Sequence, residues 1–269
     1  MTHDTMNAPD RAQLRDTVNA TLGSPLHPAP EWTLAQKMAI ACRYLAQQEH
    51  CETLAGQMTV RLGEGRFATT PLGVSFDEMR PGDILVVDDE LALLEGRGMA
   101  NPATRFHMWV YRARPDVACI IHTHPPATSA LSMIEEPLVV AHMDQTPFFN
   151  DCAFLKEWPG LPIADDEGVV ISAALGGKRS ILLAHHGLLT ACATLEESTY
   201  MAVLLEQAAR RQLMAAAAGT VHPVADALAQ ESHDFLLKPS IVNATFAMYA
   251  RRVLRAGHPQ DDFLADPGG

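Results

Sequence analysis

The sequence predicts an α/β fold in which a central, mainly antiparallel sheet lies between two layers of helices. Three observations carry this expectation. Short apolar, strand-like runs alternate with amphipathic, helix-like stretches along the chain. Successive strand candidates are linked by hairpin-length turns or short helices, which suits antiparallel neighbours in an α/β/α sandwich. No GxGxxG opens a helix after a strand, and there is no P-loop, so nucleotide-binding readings lack their central feature.

Residues 1–31 carry Pro25, Pro28 and Pro30 among small and polar residues and are expected to form a loosely ordered arm. From Trp32, apolar residues Leu34, Met38, Ile40, Ala41 and Leu45 recur at helical spacing. MTVRL and RFATT, separated by Gly63 and Gly65, predict a hairpin, and DILVVD a third strand. ATRFHMWVYRAR reads as a helix stopped by Pro115, and VACIIHTH as a buried strand. PPATSALSMI reads as a helix entered through Pro125 and Pro126. LVVAHMD is expected to be a short strand, VVISAALGG a small helix, and SILLAHHG the last clear strand. The remainder is helical: LEESTYMAVLLEQAARRQLMAAAA, VADALAQESHDFLL and VNATFAMYARRVLRA. One domain is therefore expected over 32–258, with a tail at 259–269.

The formal charge of −12 and the lack of any basic run exclude a nucleic-acid partner. No apolar run approaches the ~18 residues of a membrane span, and the polar N-terminus lacks an apolar signal core. The five cysteines are odd in number and widely spaced without a CxxC, so they are expected to be reduced. A cytoplasmic protein acting on a small molecule fits this composition.

Four of the twelve histidines cluster at the ends of two predicted strands. His122 and His124 stand two apart, so on a strand both imidazoles leave one face and Thr123 the other. Such a pair suits two ligands of one metal ion, at ~2.0–2.1 Å from zinc. His185 and His186 end the second strand. Adjacent strand residues face opposite ways, so one of this pair can supply a third ligand. Three histidines with open positions form a metal site of the catalytic type.

These stretches resemble the class II aldolase/adducin family. The resemblance is carried by LAGQMTVRL, TTPLGVSFDEMRPGDILVVD, ATRFHMWVYRARPDVACIIHTHPPATSALS and ILLAHHGLLT, over about residues 50 to 200. It implies a class II aldolase-like fold, a C4 homotetramer, and one divalent metal per subunit on His122, His124 and His186. Zinc is the expected ion, with Fe(II) and Mn(II) as alternatives. His185 is then a supporting imidazole.

The chain departs from the family's aldolases where their glutamate would stand before Arg-Phe-His, because Ala103 occupies that position. The family's Thr-x-Gly-Asn phosphate loop reads Leu54-Ala55-Gly56-Gln57, its Thr-Gly turn Leu72-Gly73, and its Ser-Ser pair Asn101-Pro102. Gly56, Gln57, Gly73 and Asn101 remain as candidate substrate-binding positions, and the lost hydroxyls argue against a phosphorylated sugar. His142 and Asp144, two apart in LVVAHMD, and Tyr200 are the candidates for acid/base work. Each has a structural reading too: a packed histidine, a turn or salt-bridge carboxylate, and a core tyrosine. His107 is expected to be structural, and Glu157-Trp158-Pro159 to lie in a lid-like loop.

The leading expectation is a metal-dependent lyase that cleaves a C–C bond, by retro-aldol reaction or decarboxylation, in a non-phosphorylated oxo- or hydroxy-acid. A non-haem iron oxygenase that oxidatively decarboxylates an aromatic 2-oxoacid is the second. A non-catalytic, adducin-like scaffold is the third, disfavoured because all three histidines are present.

Overall fold

A computed structural model of the chain describes residues 11–22, 26, 30–63, 65–160, 165–256 and 263–264. Eight strands form one mixed sheet: β1 (Gln57–Gly63), β2 (Arg66–Thr69), β3 (Leu85–Val87), β4 (Leu93–Glu95), β5 (Cys119–Thr123), β6 (Cys152–Leu155), β7 (Ser180–Leu183) and β8 (Gly187–Cys192). Their order is β4-β3-β2-β1-β5-β8-β7-β6. Only β6 and β7 pair in parallel, and every other neighbouring pair is antiparallel. The mainly antiparallel expectation therefore holds.

Helices cover both faces. On one side lie α2 (Leu34–Gln47), α4 (Pro126–Met133), α6 (Leu195–Ala218) and α8 (Pro239–Ala256), packed over Met58, Cys119, Ile121 and Leu188. On the other, α3 (Arg105–Ala113) and α5 (Asp165–Leu175) cover Phe67, Ile120, Ile181 and Leu189. The apolar strands bury both faces, as the central layer of such a sandwich must. Local chemistry sets the helix starts. Thr33 and Gln36 form a capping box ahead of α2, through Thr33 Oγ1 accepting from Gln36 N at 3.2 Å and Gln36 Oε1 accepting from Thr33 N at 3.0 Å. The buried Glu206 of α6 caps α4 from a distance, accepting from the amides of Ala127 (2.9 Å) and Thr128 (2.8 Å).

Four expectations need correction. Arg11–Thr21 forms α1 rather than a loose arm, with Leu14 and Val18 four apart on one face. LVVAHMD is not a strand: residues 137–141 are irregular, His142 caps a 3-10 helix at Met143–Phe148, and the strand nearby is β6. Gln145 Oε1 and Gln212 Oε1 take the amides of Ala141 (2.8 Å) and Val139 (2.7 Å) that a strand partner would have used. SILLAHHG is likewise not one strand. It ends at Leu183, turns through Ala184–His186 and returns as a separate strand, β8. β4 is a further short strand at the sheet edge, its residues all exposed. Of the stretch read as a tail, residues 259–262 and 265–269 lie outside the described residues, and Phe263 packs into the core beneath the Arg43 guanidinium. The remaining α7 is Asp226–Leu236. All five cysteines are free thiols. No helix among the described residues is long and apolar enough to cross a membrane.

Two buried histidines make the fold acid-sensitive. His50 Nδ1 meets Thr123 Oγ1 at 2.9 Å, and His107 Nδ1 meets Thr59 Oγ1 at 2.9 Å. Burial pushes both imidazoles down to about 3. The unfolded chain therefore takes up these protons first, near pH 6.5. The stability each neutral ring carries is complete above that pH and is lost as pH falls toward 3. In metal-stripped protein, urea unfolding at pH 7.5 and pH 5 should show each ring costing about 2 kcal/mol over that interval. His50→Asn, which keeps a partner for Thr123 and removes the titration, should lose correspondingly less; an equal loss would contradict the assignment.

Candidate metal centre

The centre is built where β5 ends and β8 begins. In β5, Cys119 and Ile121 face the α2/α6 layer, while Ile120 and His122 face the α3/α5 layer. Thr123 follows the first set, bonded to His50, so His124 returns to the side of His122 as the two-residue period requires. The turn between β7 and β8 supplies the third ring. His185 adopts a left-handed backbone (φ 56°), which splits the pair: its Nε2 meets Glu135 Oε1 at 3.2 Å on the surface, and His186 turns inward.

The three imidazoles then pack edge to face, with ring centroids 4.7, 4.7 and 4.6 Å apart. One nitrogen from each lies within 4.8 Å of the others. The Nε2 atoms of His122 and His124 are 2.9 Å apart. Two nitrogens ~2.0–2.1 Å from one ion, at angles between a right angle and tetrahedral, stand about 2.9–3.4 Å apart. The donor set therefore fits one divalent ion.

Support around the rings points the same way. His122 is buried, and its Nδ1–H donates to the Leu188 carbonyl at 2.7 Å, leaving the Nε2 lone pair facing the other rings. Phe106 packs edge-on against it, with centroids 5.0 Å apart. Burial, then the neighbouring imidazoles, holds His122 well below the usual histidine range. Burial lowers His124 as well, and His186 falls to about 4. All three are neutral at pH 7, the form that binds metal.

Gly187 is essential to this closure. A Cβ there would lie 2.5 Å from the Thr123 carbonyl oxygen and 2.7 Å from Cδ2 of His124. Only a residue without a side chain lets β8 start so close to β5.

Among the other candidates, Gln57 is the one the register brings to the centre. It pairs directly with His122 across β1 and β5, so the two side chains share a face. Its Nε2 donates to Ala55 O at 3.0 Å, and its buried Oε1 has no partner among the described residues. Gly56 packs against Cys51 and Phe76, where a Cβ would meet Cys51 Sγ at 2.4 Å, and Gly73 holds a left-handed turn at φ 97°. Asn101 caps the short 3-10 helix Pro102–Thr104, accepting from Ala103 N at 3.0 Å. Ala103 lies in that helix and offers no ligand atom.

The acid/base candidates do not join the triad: no hydrogen bond or ring contact links them to it among the described residues. His142 is exposed, its Nδ1 accepting from Asp144 N at 3.1 Å, and Asp144 pairs with Arg211 at 3.2 Å. Tyr200 sits in the α2/α6/α8 core, and burial, with Asp144 nearby, raises its phenol to about 12. His107, whose buried Nε2 has no partner among the described residues, packs against Phe106 beside the centre. Trp158 is exposed, and residues 161–164 of the lid-like loop lie outside the described residues.

A sheet end that gathers three imidazoles between helical layers defines an α/β protein with a donor set able to hold one metal ion. The model of the class II aldolase and adducin N-terminal domain matches residues 36–213, and the chain belongs to that family. A 4-hydroxy-3-prenylphenylpyruvate oxygenase/4-hydroxy-3-prenylbenzoate synthase of Streptomyces roseochromogenus subsp. oscitans is 34% identical over 69% of this chain and 69% of that protein. Decarboxylase NovR of Streptomyces niveus is 35% identical over 67% of this chain and 69% of that protein. Among solved structures, L-fuculose 1-phosphate aldolase from Glaciozyma antarctica PI12 superposes with a TM-score of 0.79 at 25% identity, over 92% of this chain and 99% of that one.

The geometry predicts that Gly187→Ala, by pushing His124 aside, lowers metal affinity about 10–100-fold. Metal content after dialysis against a chelating buffer checks this, with His124→Ala as the reference for a lost ligand. Retention equal to the unsubstituted protein would contradict the role given to Gly187.

Proposed function

We propose that this chain is a divalent-metal-dependent lyase that cleaves a C–C bond, by retro-aldol reaction or decarboxylation, in a non-phosphorylated oxo- or hydroxy-acid. The observation that carries this reading is the convergence of His122, His124 and His186 without a carboxylate beside them among the described residues. When bound, the metal supplies Lewis-acid stabilisation of the enolate oxygen formed as the C–C bond breaks. Zinc is the first candidate, with Fe(II) and Mn(II) next.

The three histidines act as neutral ligands, and the His122–Leu188 hydrogen bond fixes the tautomer. With no acidic ligand at Ala103, the loaded centre keeps a net positive charge, which favours an acid as substrate. Gln57 Oε1 is aligned to accept a hydrogen bond from a substrate hydroxyl, since Ala55 already holds the other end of the amide. His142 is the acid/base candidate whose ring solvent reaches, and its engaged Nδ1 leaves Nε2–H to donate. Asp144 orients it, and Tyr200, protonated at neutral pH, is a proton donor only if the core opens. We place this activity in a cytoplasmic homotetramer, as family membership suggests.

A second reading is favoured by the two Streptomyces relatives, one named an oxygenase and one a decarboxylase. In it the same centre holds Fe(II), and an aromatic 2-oxoacid loses its carboxyl group oxidatively.

The two readings separate under anaerobic assay. The lyase reading predicts turnover of an oxo- or hydroxy-acid without O₂ and with zinc or manganese bound. Turnover only with iron, coupled to O₂ uptake, would replace it with the second reading. His142→Gln is expected to lower kcat about 10²–10⁴-fold with metal content intact, and an unchanged kcat would remove His142 from the mechanism.

A further inference from the structure

Beside the metal centre, three loops present a cluster of exposed apolar side chains. β1 begins at Gln57 opposite His122, so residues 52–56 continue past it alongside Thr123 and His124. β2 runs antiparallel to β1, with Thr69 opposite Thr59, and therefore delivers residues 70–73 to the same end of the sheet. The third segment, 97–101, is tied to the second: Pro71 bridges Ala100, and Leu72 N donates to Met99 O at 2.8 Å. It is tied to the first through Asn101 Nδ2 and Leu54 O at 3.4 Å. Leu54, Leu72 and Met99 project from these loops with 48%, 38% and 54% of their surface exposed.

Polar side chains in and next to these segments hold the loops' own backbone. Thr53 Oγ1 accepts from Ala55 N (3.3 Å), Thr69 Oγ1 donates to Met58 O (3.2 Å), and Thr70 Oγ1 accepts from Met58 N (3.3 Å). Asn101 spends its oxygen on Ala103 N and its nitrogen on Leu54 O. Glu52 and Arg97 are the charged residues of the three segments, and their formal charges cancel. The rim therefore offers an anion no net positive charge, and of the two threonines in these segments Thr70 is buried and only Thr53 is exposed. The rim offers apolar surface that is costly to leave in water.

We propose that Leu54, Leu72 and Met99 form an apolar subsite that takes the far end of the substrate. The compound held at the metal centre then carries an aryl or branched-alkyl group where a sugar phosphate would carry its phosphate. This inference rests on the metal-centre reading and narrows its substrate class. Burial of part of a ring against three such side chains is expected to improve binding at least about tenfold over a methyl group.

The test uses the full chain loaded with Co(II), whose visible absorption reports ligands arriving at the ion. Pyruvate and phenylpyruvate are titrated separately, and then again with Leu54→Ser/Leu72→Ser. Both substitutions are at exposed positions, where folding tolerates them. Phenylpyruvate should bind at least about tenfold more tightly than pyruvate, and the double variant should bring the ratio down toward one. Equal affinities in the unsubstituted protein, or a ratio that survives the double substitution, would overturn the subsite while leaving the metal centre standing. A surviving ratio with a changed molecular mass by light scattering would reassign the apolar rim to contact between copies of the chain. Failure to take up cobalt would instead defeat the metal-centre reading, and the subsite with it.

Discussion

The site depends on how closely the first residue of β8 approaches the last residues of β5. Antiparallel pairing sets Thr123 opposite Leu188 and His122 opposite Leu189, and Gly187 lets the ring of His124 lie against the turn. The Leu188 carbonyl fixes His122 by taking its Nδ1–H. Backbone register thus orients two of the three rings, and the left-handed residue His185, within the turn that follows β7, orients the third by redirecting the chain just before His186. Such a centre is preorganised by the sheet rather than by flexible loops, so its ligands need little ordering when an ion binds.

Much of this was legible in the chain. Two histidines two apart on an apolar run specify a shared face whatever the tertiary structure, because a strand's period is two. Amphipathic spacing places α2, Pro125 and Pro126 mark the entry to α4, the stretches of α3, α6, α7 and α8 also read as helices, and Met-Thr-Val-Arg-Leu with Arg-Phe-Ala-Thr marks the first hairpin. The β7–β8 hairpin is hidden because the largely apolar run Ile181–Cys192 is interrupted by no more than His185-His186-Gly187 and Thr190, and the left-handed residue of the turn is His185 itself rather than a Gly or Asn. LVVAHMD misled for the opposite reason. Its alternation is strand-like, but Gln145 and Gln212, distant side chains that no local pattern reveals, satisfy its backbone. The structural bond of His107 to Thr59, the surface pairing of Asp144 with Arg211 and the pairing of Gln57 with His122 are likewise tertiary facts.

The chemistry around the centre is consistent across levels. Ala103 offers no acidic side chain, and three neutral imidazoles leave a divalent ion's charge unbalanced, so on the proposed reading charge balance is left to the substrate. At the rim Thr69 and Thr70 are buried against the backbone, while Leu54, Leu72 and Met99 are exposed. A cationic centre with an apolar rim matches a small acid with a hydrophobic substituent better than a phosphorylated polyol. Gln57 stands between the two parts, paired with His122 across the strands, its amide nitrogen held by Ala55 and its oxygen buried without a partner among the described residues.

The most direct test of this account is X-ray absorption at the metal edge of the loaded protein. The account predicts one ion per chain, with an inner shell containing three imidazole nitrogens at ~2.0–2.1 Å for zinc and their outer-ring scattering. A shell containing sulfur, or one that keeps its imidazole scattering when His186 is replaced by alanine, would contradict it.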